Sequence, residues 1–199
     1  MVKKGVFIVL EGLDGSGKTT QAKILAAKLK NSHSAVYTAE PSHGRIGMFI
    51  RTRILYGETR PPTSVEALLF AADRIEHIQN EVKPALNEGC LVVSDRYVYS
   101  SLAYQGSTGL SLEWIHAINS YALKPDLALF VDVAPETVLA RLKRKKSIME
   151  KLETQQKVRE VYLKYVQAGD LKRIDGEKPK KEVAADVLAA VTAFLKTRG

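Results

Sequence analysis

The chain has little of what marks secreted or membrane proteins. Among its 199 residues there is one cysteine, Cys90, so no disulfide can form within the chain, as is usual in a reducing cytosol. No apolar stretch approaches the roughly 20 residues that a membrane-spanning helix needs. The first residues, MVKKG, lead into an apparent strand rather than a signal peptide. We therefore expect a cytoplasmic protein with no membrane partner, in which Cys90 is a buried structural thiol.

Acidic residues are also in short supply. The sequence has 22 aspartate and glutamate residues against 30 lysine and arginine residues, which gives a formal net charge of +8. This charge favours an anionic partner and leaves two classes open, nucleic acid or small polyanionic substrates. Internal repeats and low-complexity linkers are missing as well, so we expect one domain spanning 1–199.

The segment Glu11 to Thr20, EGLDGSGKTT, carries the strongest chemical signal. Its spacing GxxxxGK[ST] lies between the apolar run GVFIVL and the helical pattern QAKILAAKLK. In that strand-to-helix context the glycine-rich backbone cradles phosphates, Lys18 reaches the β- and γ-phosphates and the Thr19 hydroxyl binds Mg²⁺. We therefore predict that this phosphate loop binds a nucleotide. The predicted nucleotide-binding residues are Gly12, Leu13, Asp14, Gly15, Ser16, Gly17, Lys18, Thr19 and Thr20.

Five strand patterns, near residues 5, 35, 91, 127 and 171, alternate with helical patterns. This alternation predicts an α/β fold of three layers, a five-stranded parallel sheet flanked by helices, as in P-loop NTPases. Ligands of such sheets bind beyond the carboxyl ends of the strands. The rule brings Glu40, Asp95 and Asp132, each at or near a strand end, toward the phosphate loop.

Asp95 and Arg96 end the apolar strand pattern LVVS. Asp95 has the position of an acid that orients Mg²⁺ or its water, and Arg96 is placed to meet a phosphate on a second substrate. The alternative is an ion pair at a strand end with no ligand. We favour the functional interpretation because an unpaired acid and arginine at a buried strand end would be unfavourable.

Further arginines help to choose among the P-loop classes. A GTPase would carry NKxD, which is missing here, and motors and helicases usually need a longer chain. Separated arginines suit a second, phosphate-bearing substrate, because a guanidinium can grip a phosphate bidentately. They indicate a small nucleotide kinase; a nucleic-acid-associated P-loop ATPase is the alternative. These arginines are Arg45, Arg51, Arg74, Arg96, Arg141 and Arg144.

The segments FAADR, DRY and SSLAYQG, together with EGLDGSGKTT, resemble the thymidylate kinase family over nearly the whole chain. The resemblance implies Mg²⁺-dependent transfer of the γ-phosphate of ATP to dTMP, giving dTDP and ADP, in a homodimer formed through helices near residues 64–80 and 97–120. It implies small-molecule substrates and no nucleic-acid partner. A deoxynucleoside monophosphate kinase with broader base choice remains an alternative.

The resemblance also implies roles for individual residues around dTMP. An aromatic ring, Phe70, stacks on thymine, and Arg74 donates to its O4. Tyr104 presses against the sugar, Arg96 and Arg51 clamp the monophosphate, and Asp14 approaches the 3'-hydroxyl or the metal. The implied dTMP-binding residues are Asp14, Glu40, Arg51, Phe70, Arg74, Arg96, Ser101, Tyr104 and Gln105.

Each of these assignments has a structural alternative. Phe70 lies among apolar neighbours and could be a core residue. Arg74 could pair along its helix with Glu76 or Glu81, and Tyr104 could be an ordinary packed aromatic residue. The histidines show no metal spacing, and we expect non-catalytic positions for all of them, on the surface for His33, His77 and His116.

A basic stretch, RLKRKKSIMEK, runs from Arg141 to Lys151. It could be a solvated helix end or a nucleic-acid patch, whereas the resemblance implies a short lid that closes over the donor. Some members of the family carry a catalytic arginine in the phosphate loop, where this chain has Gly15. The catalytic cation is therefore expected from the lid, from Arg144 first and Arg141 second. The expected catalytic residues are Lys18, Asp95, Arg96, Arg144 and Arg141.

Overall fold

Five parallel strands form the centre of the protein. The computed structural model describes residues 5–55, 57, 60–141 and 151–198. The strands are β1 (Val6–Glu11), β2 (Ala35–Ala39), β3 (Leu91–Asp95), β4 (Leu127–Asp132) and β5 (Lys172–Asp175). They pair in the order β2-β3-β1-β4-β5, and every pairing is parallel. The predicted five-stranded parallel sheet is therefore confirmed.

Helices follow each strand and cover both faces of the sheet. Two short π-helical segments, Ile50–Leu55 and Ile78–Val82, continue α2 and α3 respectively. The helices in the described part of the chain are α1 (Lys18–Leu29), α2 (Arg45–Phe49), α3 (Thr63–His77), α4 (Lys83–Asn87), α5 (Val98–Gly106), α6 (Leu112–Ile118), α7 (Pro135–Arg141), α8 (Leu152–Gln167) and α9 (Lys180–Lys196). None of them is long and apolar enough to cross a bilayer.

The three central strands, β1, β3 and β4, are mostly apolar on both sides because both sides are buried, whereas the edge strands β2 and β5 are partly exposed. In β1, Phe7 and Val9 pack into a core with residues of α5 and α8, whereas Ile8 and Leu10 pack into a second core with residues of α1 and α9. A strand buried on both faces reads as a continuous apolar run rather than as an alternation. Two cores on opposite faces of one sheet give the expected three-layer architecture.

The long helical pattern after Pro62 differs in detail from the sequence prediction. The sequence predicts Thr63 or Ser64 as the residue that caps this helix, but Pro62 occupies the cap position and no side chain caps the helix. Pro84 lies in the first turn of α4, directly after the second π-helical segment. Since proline has no N–H to donate, it interrupts the helical ladder of hydrogen bonds at this point.

The strand order places a crevice beside β1. The chain passes from β1 to β2 on one side of the sheet, while β4 pairs with the other side of β1. Such a reversal opens a ligand-binding crevice at the carboxyl ends of the strands. The phosphate loop follows β1 at this edge, and Glu40, Asp95 and Asp132 follow or end the neighbouring strands.

Candidate active site

The phosphate loop is folded for close contact with an anion. Gly15 and Gly17 both have φ of 90°, a conformation that side chains other than glycine rarely adopt. A Cβ atom on Gly12 would lie 2.6 Å from Ser16 Oγ and 2.9 Å from the Val131 carbonyl oxygen. The loop then enters α1 at Lys18, which directs the N-terminal end of that helix into the crevice.

Lys18 lies inside this loop with a side chain that is almost fully buried. Its Nζ donates to the Leu13 carbonyl oxygen at 3.4 Å and lies 3.6 Å from Asp14 Oδ1. Burial lowers the pKa of Lys18, and the nearby Arg96 acts in the same direction, while Asp14 and Asp95 oppose the shift. The loop therefore holds an ammonium group in a partly desolvated position, where its electrostatic attraction to a bound phosphate is stronger than in water.

Thr19 and Asp95 form the part of the site that suits a metal ion. Thr19 Oγ1 donates to Asp95 Oδ2 at 2.5 Å, and the other carboxylate oxygen, Oδ1, is buried with no hydrogen-bond partner in the described structure. A hydroxyl oxygen and a carboxylate oxygen are the ligands that Mg²⁺ prefers beside substrate phosphates. The described residues contain no group of three or more carboxylate, imidazole or thiol side chains placed to hold a metal. These two residues fit an ion that a nucleotide would help to bind.

Asp14 joins the phosphate loop to Arg96. Its Oδ1 accepts from Arg96 Nη2 at 2.7 Å and lies 3.6 Å from Lys18 Nζ. The Arg96 guanidinium also lies over the Tyr104 ring, 4.9 Å from its centroid, and the Tyr104 hydroxyl accepts from the Asp14 N–H at 3.0 Å. The structure therefore brings Lys18, Asp14, Arg96 and Tyr104 together at one point of the crevice.

This arrangement affects the pKa values of Arg96 and Tyr104. Burial opposes charge on Arg96, but Asp14, Tyr104, Tyr162 and Asp95 together outweigh it, and the pKa of Arg96 is raised well above its usual value. Burial, with a further contribution from Asp14, raises the pKa of Tyr104 to about 12. Arg96 thus stays cationic and Tyr104 neutral at any physiological pH.

Arg96 adopts an unusual backbone conformation. Its φ is 73°, in the left-handed region, and no other non-glycine residue of the described chain has a positive φ. The Arg96 N–H donates to the Leu10 carbonyl oxygen at 2.9 Å, and its carbonyl oxygen accepts from Ser94 Oγ at 2.8 Å. Such conformations are concentrated at functional sites, where surrounding contacts stabilise them.

Arg74 and Glu40 form a buried ion pair beside this junction. Arg74 Nε and Nη2 donate to Glu40 Oε2 at 2.9 and 2.7 Å, and both side chains are at most 3% exposed. Arg74 also donates to Ser101 Oγ at 3.2 Å and to Asn119 Oδ1. The alternative of a pair along the helix with Glu76 or Glu81 is wrong, because the Arg74 partner lies after β2 on the other side of the crevice.

His77 is also placed differently from the prediction. We expected it on the surface, but its side chain is completely buried. Its Nδ1 lies 3.1 Å from Glu40 Oε1, and its Nε2 lies 2.6 Å from Thr38 Oγ1. One turn after Arg74 on α3, it faces the same carboxylate, because residues three apart on a helix share a face.

The remaining dTMP-binding candidates are Gln105, Arg51 and Phe70. Gln105 is buried and donates to Glu66 Oε1 at 3.2 Å. Arg51 donates to the carbonyl oxygens of Pro41 and Ser42, in the loop that follows Glu40. Phe70 is half-buried and belongs to neither apolar core of the described chain, so the core alternative is not supported.

The lid candidates are only partly within the described structure. Arg141 ends α7, is 40% exposed and lies 3.8 Å from Glu177 Oε2. Arg144 and most of the stretch from Arg141 to Lys151 lie outside the described residues.

Asp132, at the end of β4, is paired with Arg159 and Arg173, both at 2.7 Å. Burial alone would raise the pKa of Asp132. The hydrogen bonds and charges of these two arginines outweigh that effect, and the pKa is lowered.

Two residues of the site carry no role in the sequence analysis. Glu11 is fully buried at the end of β1, and Asn119 accepts from Arg74 and donates to the Ile115 carbonyl oxygen at 2.8 Å. Glu11 does leave a signal, since it is an acid that ends an otherwise apolar run. Asn119 leaves none, because it follows an ordinary amphipathic helix.

A phosphate loop joined through one carboxylate to an arginine beyond the neighbouring strand defines a P-loop phosphotransferase with a second, phosphate-bearing substrate. This is the class of the ATP-dependent nucleoside monophosphate kinases. The family model described as thymidylate kinase matches residues 10–187. The chain belongs to the thymidylate kinase family.

Individual relatives agree with this assignment. The chain is 43% identical over 197 residues to a probable thymidylate kinase of Pyrococcus abyssi, covering 94% of this chain and 96% of that protein. It is 44% identical over 192 residues to a probable thymidylate kinase of Pyrobaculum aerophilum, covering 96% and 98%. A probable thymidylate kinase of Methanococcus vannielii is 49% identical over 159 residues, covering 79% of this chain and 76% of that protein.

Proposed function

We propose that the protein transfers the γ-phosphate of ATP to dTMP, giving dTDP and ADP for dTTP synthesis, with Mg²⁺ as the metal. The observation that carries this proposal is the position of Asp14 Oδ1, 3.6 Å from Lys18 Nζ and 2.7 Å from Arg96 Nη2. A cation of the donor site and a cation of the acceptor site share one carboxylate. A phosphoryl group moving between two phosphates needs cations on both sides of its path.

The chemistry requires positioning more than proton transfer. The second pKa of a phosphate monoester is roughly 6, so the attacking oxygen of dTMP is already ionised near neutral pH. No general base is needed. Lys18 would hold the β- and γ-phosphates, while Arg96 and Arg51 would fix the acceptor phosphate. Mg²⁺, held by Thr19 and Asp95, would neutralise charge on the ATP phosphates when bound.

The base and sugar of dTMP would occupy the space around the Arg74–Glu40 pair. Arg74 is fixed by Glu40 and Ser101, so its guanidinium is oriented before a ligand enters. We propose that it donates to thymine O4, that Phe70 stacks on the ring, and that Gln105 lies along the base edge. Tyr104, next to Asp14, would exclude a 2'-hydroxyl. An aromatic face with a few fixed polar groups is a common design for small-molecule sites.

We propose further that residues 1–199 form one kinase domain with a lid near residues 141–151. In the absence of an arginine at Gly15, Arg144, or in second place Arg141, would supply the cation that bridges donor and acceptor. The position of Arg141 at the end of α7, close to Glu177 after β5, is consistent with a lid that begins there. One buried, unpaired thiol, Cys90, is consistent with a cytoplasmic protein.

A panel of acceptors tests the proposed activity. In a coupled assay of ADP release, we expect dTMP to exceed dUMP about tenfold in kcat/KM, because dUMP lacks one methyl group. We expect dCMP to fall below dTMP by more than about tenfold, since its amino group would face the Arg74 guanidinium with no acceptor. Release of ADP that does not depend on any monophosphate would contradict the proposed kinase activity. Equal rates for all pyrimidine monophosphates would contradict the proposed selection of thymine by the pocket.

We also propose a homodimer. Of the helices that the resemblance implies for the interface, near residues 64–80 and 97–120, we choose α3 in the first region and add α2 with its π-helical continuation, because these segments carry exposed apolar side chains. On α3, Val65, Leu68 and Ile75 lie on one stripe and are 43, 49 and 38% exposed. Phe49 and Leu55, on the helical segments that pack against α3, are also exposed, at 48 and 41%. An apolar face of this kind on two neighbouring helices is suited to a second copy of itself across a twofold axis.

Replacing one residue of this face should separate the subunits. We expect Leu68→Glu to convert a dimer into a monomer in sedimentation velocity, because the change buries a carboxylate against its own copy. Leu152→Glu is the matched control, since Leu152 is 41% exposed and begins α8, whose main contacts are with α5, α7 and β4. A wild-type protein that sediments as a monomer, or a dimer that survives Leu68→Glu, would contradict this face as the interface.

A further inference from the structure

Glu11 is a fully buried carboxylate that is hydrogen-bonded to the residues following Arg96 and to Tyr162 of α8. Its Oε1 accepts from the backbone N–H groups of Tyr97 and Ser100, at 2.9 and 3.2 Å. Its Oε2 accepts from the hydroxyls of Ser100 and Tyr162, at 2.6 and 3.0 Å. Both oxygens are therefore hydrogen-bonded, as a buried carboxylate requires.

Two of these contacts bear directly on Arg96. The Tyr97 N–H is the next backbone donor after Arg96, so Glu11 fixes the chain immediately beyond the residue with φ of 73°. The Ser100 hydroxyl that donates to Glu11 also accepts from Arg96 Nη1 at 2.8 Å. Glu11 thus restrains Arg96 by its backbone and by its guanidinium at the same time.

We propose that Glu11 is a positioning residue that holds Arg96 ready for the acceptor phosphate. This inference rests on the proposed function. Arg96 would otherwise relax from its left-handed conformation, and its guanidinium would turn away from the point where it meets Asp14. A guanidinium fixed in advance avoids reorganisation when the phosphate binds.

The surroundings of Glu11 make its role measurable by pH. Burial raises the pKa of Glu11 to about 7, although hydrogen bonds from Ser100 and Tyr162 and the charge of Arg96 oppose the shift. The charged and titratable groups that face it are Lys18, Arg74, Arg96, Tyr99 and Tyr162. Of these groups, only the Tyr162 hydroxyl is hydrogen-bonded to Glu11 and lies outside the proposed substrate site. It can therefore be removed without changing a proposed substrate contact.

Protonation of Glu11 should loosen Arg96. A protonated carboxyl must donate its own hydrogen and therefore loses one of the contacts that it now accepts. We expect kcat/KM for dTMP to fall as the pH drops through about 7. We call this fall in kcat/KM the limb near pH 7. The protonation of dTMP itself causes a separate fall near a pH of roughly 6, which all variants should share.

The first variant is Glu11→Gln, which keeps the shape and one acceptor oxygen but removes the charge. We expect kcat/KM for dTMP to fall at least about tenfold above pH 7, the limb near 7 to vanish, and KM for ATP to stay within about twofold. A pH profile identical to that of the wild type would overturn the inference. An equal rise in KM for both substrates would also overturn it, because it would indicate general loosening of the fold.

Tyr162→Phe tests the same point with Glu11 intact, and so covers the case in which Glu11→Gln does not fold. The ring stacks on Phe130, with centroids 4.7 Å apart, and phenylalanine preserves this packing. Loss of the hydroxyl removes a hydrogen bond that favours the charged carboxylate, so the limb should move to higher pH. A limb that does not move would overturn the assignment to Glu11.

A measurement without substrates separates this inference from the proposed function. In ¹⁵N-labelled protein, the Arg96 Nε–H signal should shift with pH at the same midpoint as the kinetic limb, and Tyr162→Phe should move both. If the wild type does not phosphorylate dTMP but this signal titrates, the proposed function fails, and only the restraint of Arg96 by Glu11 stands. If dTMP is phosphorylated but the Arg96 signal does not respond, the positioning role fails alone.

Discussion

Lys18→Met should lower kcat for dTMP phosphorylation by about 10²- to 10³-fold at saturating ATP and dTMP. The Lys18 ammonium group is buried in the phosphate loop, 3.6 Å from the carboxylate that also contacts Arg96. Charge that develops on the transferring phosphoryl group would therefore meet it with little intervening water. Methionine has a similar unbranched shape, so we expect the loop to fold while the transition state loses its cation.

The matched control for this change is Lys28→Met. Lys28 lies on the same helix, α1, but it is exposed and in the last turn, away from the loop. We expect its kcat and both KM values to stay within about twofold of the wild type, as for most surface changes. The two variants can be compared in the same coupled assay of ADP release. A Lys18→Met enzyme with kcat within about threefold of the wild type would contradict the proposed contact with the transferring group.

The fold was predictable because local pattern and burial agree in this chain. The central strands β1, β3 and β4 are buried on both faces, so they stand out in the sequence as short, mostly apolar runs bounded by polar residues. The strand patterns near residues 5, 35, 91, 127 and 171 each lie within one residue of the start of a strand in the structure. The phosphate loop was equally accessible, since its glycines and its lysine are adjacent in sequence.

The contacts of Arg74 could not be predicted from the sequence pattern, and its proposed role toward the base came only from the resemblance. Helical spacing suggested Glu76 or Glu81 as partners for Arg74, but its partner Glu40 is 34 positions away in sequence. Periodicity reports which residues share a face of one helix and says nothing about the element that this face meets. The same limit explains His77, whose neighbours on α3 include charged residues although its own side chain is buried against Thr38 and Glu40.

Phe70 and Glu11 show the converse error, in which a residue type was interpreted from its immediate neighbours. Phe70 has apolar neighbours in sequence, yet in the structure it is half-buried and lies outside both cores. Glu11 ends an apolar strand and was counted only as the start of the phosphate-loop motif. Its partners come from the segment after β3, from α5 and from α8, so no local pattern could reveal them.

Arg74→Met should lower the free energy of unfolding by about 3–5 kcal/mol. The change removes both hydrogen bonds from Arg74 to Glu40 Oε2 and leaves a carboxylate that is 3% exposed, with His77 as its remaining side-chain partner. A buried charge that loses its partner is far more destabilising than the intact pair is stabilising. The loss can be measured by urea unfolding at one fixed protein concentration, because association would otherwise shift the midpoint.

A second substitution distinguishes the stranded charge from a simple loss of packing. In Arg74→Met/Glu40→Gln, no carboxylate is left unpaired, so we expect more than half of the lost stability to return. The control is Arg198→Met, which breaks the pair with Asp126 at 2.8 Å, where the side chains are 36 and 27% exposed. Solvent screens that pair, and its loss should lower stability by about 1 kcal/mol or less. If the double variant were no more stable than Arg74→Met, the damage would come from the cavity around residue 74, and the Glu40 charge would not be the cause.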